Sequence, residues 1–168
     1  MRGIKPPFDS KTGKVPGALE GESLKVIQKS SGKVASQNMK EFSADKWSGD
    51  DHLWWTGGKP GDKLSLEIEV QQPGEYEILV NLTKAVDYGI VQLYWDEQLL
   101  GDPIDCFSAN AVITTGMIST GKVAATKGKH SLTLQIKGAN PKAIQGYMVA
   151  LDFVLLNPVP QASAKQQP

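Results

Sequence analysis

The stretch Lys63-Leu64-Ser65-Leu66-Glu67-Ile68-Glu69-Val70-Gln71-Gln72-Pro73-Gly74-Glu75-Tyr76-Glu77-Ile78-Leu79-Val80-Asn81-Leu82-Thr83 decides the fold. In its first half Leu64, Leu66, Ile68 and Val70 alternate with Lys63, Ser65, Glu67 and Glu69. In its second half Tyr76, Ile78, Val80 and Leu82 alternate with Glu77, Leu79, Asn81 and Thr83. A strand sends successive side chains to opposite faces, so each run has one buried and one wetter face. Gln72-Pro73-Gly74 between them is turn chemistry, with glycine free to take a positive φ.

The same period recurs along the chain. Val91, Leu93 and Trp95 alternate with Gln92, Tyr94 and Asp96, and Leu132, Leu134 and Ile136 with Ser131, Thr133, Gln135 and Lys137. Val149 to Leu156 is apolar nearly throughout except Asp152, which predicts a central strand. Turn signals fall at Asp96-Glu97-Gln98, Lys127-Gly128-Lys129 and Gly138-Ala139-Asn140-Pro141. No segment carries a 3.6-residue period, and no internal repeat of fixed period is visible. The pattern predicts an all-β protein, a β-sandwich or jelly roll, over residues 17–157. Residues 1–16, broken by Pro6, Pro7 and Pro16, read as a linker or an extended lead-in, and residues 158–168 as a flexible tail.

A chain of 168 residues suits one domain with a real core. Lys+Arg and Asp+Glu are 18 each, so the formal net charge is zero. That argues against nucleic acid and against electrostatic capture by anionic membranes. Cys106 is the single cysteine, which excludes an intrachain disulfide and a cysteine-based zinc site. No apolar run approaches a membrane span, and Met1 to Pro7 lacks the apolar region of a secretory signal. His52, in Asp50-Asp51-His52, reads as part of a polar loop, and His130 as the exposed start of a strand. Neither lies near a Gly-x-Ser-x-Gly elbow or a cysteine motif, and there is no phosphate-binding loop. An enzyme is the less favoured class, and no catalytic residue is assigned.

The segment Lys46-Trp47-Ser48-Gly49-Asp50-Asp51-His52-Leu53-Trp54-Trp55-Thr56-Gly57-Gly58 concentrates three of the four tryptophans. Sugar C–H patches stack on flat aromatic faces, and sugar hydroxyls need amide and carboxylate partners. Trp47, Trp54 and Trp55 are therefore candidate contacts, with Asp87 and Tyr88 of a second turn and Asn140 of a third. The other reading has one or two indoles plugging the end of the sandwich. Trp54 and Trp55 are adjacent, so on an extended chain they face opposite ways and one belongs to the core. Asn140-Pro141 reads equally as a plain turn.

Glu20-Gly21-Glu22 puts two carboxylates on one side of an extended chain. Asp152 in its apolar strand needs a partner if buried. A calcium ion shared by Glu20, Glu22 and Asp152 would supply one. Alternatively Asp152 pairs with a lysine or accepts backbone N–H bonds, and the glutamates are solvated.

These residues resemble carbohydrate-binding modules of the family 6 and 35 type, with a galactose-binding-like jelly roll. Ala18-Leu19-Glu20-Gly21-Glu22-Ser23-Leu24 resembles their first strand. Gly61-Asp62-Lys63-Leu64-Ser65-Leu66 followed by Pro73-Gly74-Glu75-Tyr76-Glu77-Ile78 resembles their central strands. Lys127-Gly128-Lys129-His130-Ser131-Leu132-Thr133-Leu134 and Leu151-Asp152-Phe153-Val154-Leu155-Leu156 resemble two further strands, the second their closing one. Thr83-Lys84-Ala85-Val86-Asp87-Tyr88-Gly89 and Gly138-Ala139-Asn140-Pro141 also resemble the jelly rolls appended to family 172 glycoside hydrolases. The resemblance implies a two-sheet sandwich and a structural calcium near the first and last strands. It also implies a glycan or polysaccharide held at the loop rim by Trp47, Trp54, Trp55, Asp87, Tyr88 and Asn140, and an extracellular or periplasmic location.

The expected function is a non-catalytic carbohydrate-binding module that targets a larger glycan-active protein, with a catalytic domain in the parent chain, to polysaccharide. The alternative is a structural or assembly sandwich that packs on a catalytic partner or oligomerises, without sugar binding. It predicts an apolar surface patch, with Leu79, Leu99, Leu100 and Met148 as contributors.

Overall fold

The structure, a computed structural model, describes residues 3–160. Its strands are β1 (Leu19–Glu20), β2 (Val26–Lys29), β3 (Lys33–Asn38), β4 (Asp51–Thr56), β5 (Lys63–Val70) and β6 (Gly74–Lys84). They continue as β7 (Ile90–Trp95), β8 (Gln98–Asp105), β9 (Ile113–Thr114), β10 (Ile118–Ala125), β11 (Gly128–Gly138) and β12 (Val149–Pro158). Among the described residues there is no α-helix, only short 3₁₀ turns at Gly21–Ser23 and Ser48–Asp50. The all-β sandwich expected from the alternation is what forms.

One sheet has the order β10-β6-β12-β4-β3, with β1 beside β12 and β9 beside β6. The other has the order β2-β5-β11-β7-β8. All pairings between these strands are antiparallel. β12 lies between β6 and β4, as its nearly continuous apolar run requires. The turn at Asp96 and Glu97 takes φ 47° and 69° at its two central residues. Two successive positive φ values match the right-handed twist of the flanking strands and close the β7–β8 hairpin.

The core is the apolar face of each alternating run. Leu64, Leu66 and Ile68 from β5, Ile78, Val80 and Leu82 from β6, and Leu132, Leu134 and Ile136 from β11 are all fully buried. Each such side chain contributes about 1.5–3 kcal/mol by leaving water. Cys106 is buried among them, and burial first, then Asp105, pushes its thiol up to about 12, so it is inert.

Val15, Met39, Trp47 and Phe153 are equally buried but stand outside that core cluster. They lie where residues 3–16 and 39–50 cover the outer face of the larger sheet. Gly49 N–H donates to Gly13 O at 3.0 Å, and Val15 N–H donates to Ser48 Oγ at 3.1 Å. The lead-in is anchored from its start, since Ile4 bridges Met117. The tail proposed for 158–168 lies, from residue 161, outside the described residues.

Three sequence expectations change. His52 is not in a loop: it is on β4 and fully buried, because the 39–50 segment folds back over it. Glu20-Gly21-Glu22 does not stay extended, and the chain turns at Gly21, where a Cβ would sit 2.2 Å from Leu151 O. Leu79 and Leu100 are buried, which leaves Leu99, 68% exposed on edge strand β8, as the outward member of the expected apolar patch.

Candidate functional site

Trp54 and Trp55 part company as adjacent strand residues must. Trp55 turns into the core, 1% exposed, and its indole N–H donates to Ser31 O at 2.9 Å. Trp54 turns outward and is half-buried. Trp47 is 1% exposed, packs edge-on against Phe42 and donates its N–H to Thr83 Oγ1 at 2.8 Å. The expectation that Trp47 and Trp55 offer stacking faces is therefore corrected: both are sealed from solvent, one in each packed layer.

Trp54 lines a cavity of about 210 Å³ with Gln37, Met39, Phe42, Ala85, Asp87, Tyr88, Val112 and Met148. Three of the predicted contacts, Trp54, Asp87 and Tyr88, thus meet in one place. Tyr88 is only 5% exposed; burial first, then the charges of Asp87 and Cys106, push its hydroxyl up. It stays a neutral phenol at all ordinary pH. Asp87 is the cavity's one charged lining residue. Trp54 Nε1 is buried and closes no hydrogen bond of its own. The wall therefore combines aromatic surface, sulfur-rich apolar surface and one acceptor carboxylate, elements that orient a ligand in a mostly apolar pocket.

Asn140 is not part of this wall. Its Nδ2 donates to Asp105 Oδ2 at 2.8 Å and its Oδ1 accepts from Lys142 N–H at 2.9 Å, so it is committed to its own turn. Gln37, Met39, Phe42 and Val112 had no sequence signal, and Met148 was expected only in an apolar patch. They come from strand ends and loops that only the fold brings together.

Behind the cavity runs a buried polar chain. Thr83 Oγ1 lies 2.8 Å from Trp47 Nε1 and 2.7 Å from His52 Nδ1. His52 Nε2 lies 2.7 Å from Gln37 Oε1. Burial lowers the His52 pKa to about 4, so the ring is neutral at physiological pH.

Two other concavities suit a sugar less well. One of about 410 Å³ along the seam of β8 and β10, lined by Gly101–Asp105 and Ile118–Gly121, has no aromatic side chain. Another of about 340 Å³ on the smaller sheet holds Tyr94, but Lys63 Nζ sits 5.5 Å from its ring centre and its hydroxyl donates to Gln135 Oε1.

The predicted metal residues lie at the opposite margin of the 39–50 cover. Asp152 is fully buried; both its oxygens accept from Ser48 N–H at 3.1 Å, and Oδ2 also accepts from Asn81 Nδ2 at 2.8 Å. Ser48 Oγ–H donates to Glu20 Oε2 at 2.8 Å. Glu20 Oε1 and Glu22 Oε1 are buried without a partner. Burial first, then repulsion from neighbouring carboxylates, raises all three pKa values: Glu20, with Asp51 beside it, Glu22 to about 7 and Asp152 to about 8. Two orphaned carboxylate oxygens in a buried acidic cluster are the donor chemistry a hard cation needs. Among the described residues no three His, Cys, Asp or Glu side chains form a metal-binding group. Asp152 is spent on Ser48 and Asn81, the backbone-bonded alternative read from the sequence.

No protein family matches the sequence, and no curated protein does. Solved structures do. A Paenibacillus xanthan lyase superposes with TM-score 0.74 at 22% identity, over 92% of this chain and 14% of that chain. A family 6 carbohydrate-binding module superposes with TM-score 0.52 at 13% identity, over 93% of this chain and 98% of its own. The family 36 module of a multidomain xylanase from the Trinervitermes trinervoides hindgut metagenome gives 0.53 at 13% identity, over 86% and 98%. The fold is a two-sheet β-sandwich like that of these carbohydrate-binding modules. The chain spans a small part of the lyase and nearly the whole of each isolated module.

Proposed function

We propose that this chain is a non-catalytic carbohydrate-binding module that holds a larger glycan-active protein at its polysaccharide, outside the cytoplasm. The observation that carries the reading is the cavity walled by Trp54, Tyr88, Phe42 and Asp87 on a fold of this class. Its 210 Å³ is smaller than a typical small-molecule pocket and suits one glycosyl residue, with the rest of a chain in solvent. Trp54 supplies the stacking face and Asp87 accepts from sugar hydroxyls. Glycoside hydrolysis by paired carboxyl groups is not supported, because Asp87 has no second carboxylate beside it on the wall.

A divalent cation, calcium by its preference for carboxylate oxygens, fits at Glu20 and Glu22. Asp152 orders the site from behind through Ser48, whose hydroxyl also holds Glu20. The cation would neutralise the cluster and fasten the 39–50 cover, and with it Met39 and Phe42 of the cavity wall.

A glycan-array screen of the domain, with calcium and with chelator, tests the reading. Binding to a defined polysaccharide that Trp54→Ala removes, in a folded domain, is the expected result. No binding in either condition would move the assignment to an assembly domain.

A further inference from the structure

The buried chain behind the cavity has a direction. An indole N–H only donates, so Thr83 Oγ1 accepts from Trp47. Thr83 is fully buried and among the described residues its hydroxyl hydrogen-bonds only Trp47 and His52, so its single proton must go to His52 Nδ1 or be left unbonded. A buried hydroxyl without a partner is costly, so His52 Nδ1 accepts. The neutral ring then carries its proton on Nε2, and that N–H donates to Gln37 Oε1. This fixes the Gln37 amide. Its oxygen is turned inward and spent, whereas its NH₂ closes no hydrogen bond among the described residues, on a residue that lines the cavity.

We propose that Gln37 is the cavity's fixed donor to a neutral glycosyl residue, and that His52, Thr83 and Trp47 are positioning residues that keep its amide nitrogen turned to the ligand. The proposal rests on the carbohydrate reading of the cavity and deepens it. The Gln37 amide cannot flip without setting its NH₂ against the Nε2–H of His52. The ligand must therefore offer an acceptor there, a hydroxyl or ring oxygen. With Asp87 as the one charge on the wall, a uronate is repelled and a neutral sugar is favoured.

The test is calorimetric titration with four probes: β-1,4-mannotriose, β-1,3-galactotriose, xylotriose and trigalacturonate. The variants are Q37E, T83V, T83S and W54A. Q37E keeps the inward oxygen and loses the donor; a neutral probe that binds the wild type should bind it about tenfold more weakly. T83V breaks the chain and should weaken binding about fivefold, and T83S, which restores the hydroxyl, should rescue it. Nitrogen NMR of wild-type His52 should show the proton on Nε2, a readout that holds even if T83V does not fold. Q37E binding as the wild type does, while W54A abolishes binding, would overturn the role of Gln37 and leave the site intact. A proton on Nδ1 would overturn the relay, and binding of trigalacturonate alone would overturn the neutral ligand. Failure of all four probes on the wild type would remove the carbohydrate reading and the proposal with it.

Discussion

Removing cations from the acidic cluster should make stability fall as pH rises. Glu20, Glu22 and Asp152 all have folded-state pKa values above their ordinary ones, with Glu22 near 7 and Asp152 near 8. Between the ordinary carboxylate range and about pH 8, the folded chain therefore holds protons that the unfolded chain has lost. More protons bound in the native state means that unfolding becomes easier with each step up in pH. Each tenfold change in proton affinity is worth about 1.4 kcal/mol. Asp152, fully buried, sets a ceiling on the order of 5 kcal/mol across that window, and half-exposed Glu22 adds a screened fraction. A domain of this kind has only about 5–15 kcal/mol in all, so the effect is large. A bound cation takes the place of those protons. At about a hundred times its dissociation constant it restores about 2.7 kcal/mol, which is about 5–11 °C in melting temperature at this chain length. Calorimetry at about pH 5 and about pH 8, each with calcium and with chelator, measures all four corners. The melting temperature in chelator should drop from the lower pH to the higher, and calcium should recover it chiefly at the higher. Equal melting temperatures at both pH values in chelator would refute the desolvated cluster. A drop that calcium does not repair would refute the cation and leave the cluster.

Four further outcomes can be measured. Trp54→Ala should cut glycan affinity by about 30-fold or more, as an interfacial aromatic anchor does, with little change in melting temperature. Trp55→Ala should instead cost about 3–5 kcal/mol in urea unfolding, because it empties a sealed site between the sheets. Gly21→Ala should cost about 1–3 kcal/mol by the same assay, since its Cβ must displace the Leu151 carbonyl. His130 faces two pure acceptors, Asp96 Oδ2 and Thr126 O, and is stacked on Trp95. Burial opposes its charge, but those two hydrogen bonds prevail and its pKa is raised. Its contribution is full below the unfolded pKa and lost as pH rises through the folded one. NMR titration should place His130 above the ordinary histidine value, and Asp96→Asn should bring it down.

The sandwich was legible because β5, β6, β7 and β11 carry their apolar residues in a period of two, and Val149 to Leu156 of β12 form an apolar run broken only by Asp152. β2 and β3 were not: Val26–Lys29 is exposed at every residue, and the outward Ala35 and Ser36 of β3 carry no alternation worth reading. Edge strands are held by backbone pairing, which side-chain pattern does not record. The site shows the same division. Parity alone required Trp54 and Trp55 to face opposite ways, but which one faces the core is settled by the register of Val149 on Trp55 and Ala150 on Trp54. His52 looked solvated beside Asp50 and Asp51, and its burial comes from a cover that begins after β3 and from Thr83, 31 residues away. A single conformational fact, that residues 39–50 fold over the outer sheet face, accounts for three features together. It buries Trp47, it hides the His52–Thr83 chain that aims Gln37, and its Ser48 binds both Asp152 and Glu20. The acidic cluster and the cavity are therefore fastened by the same segment. Loosening that segment at Ser48, as Ser48→Ala would, should weaken both the cation response and glycan binding, whereas Gln37→Glu should touch only the second. If Ser48→Ala lowers the cation response but leaves glycan affinity whole, the cover does not couple the two sites and each stands alone on the sandwich.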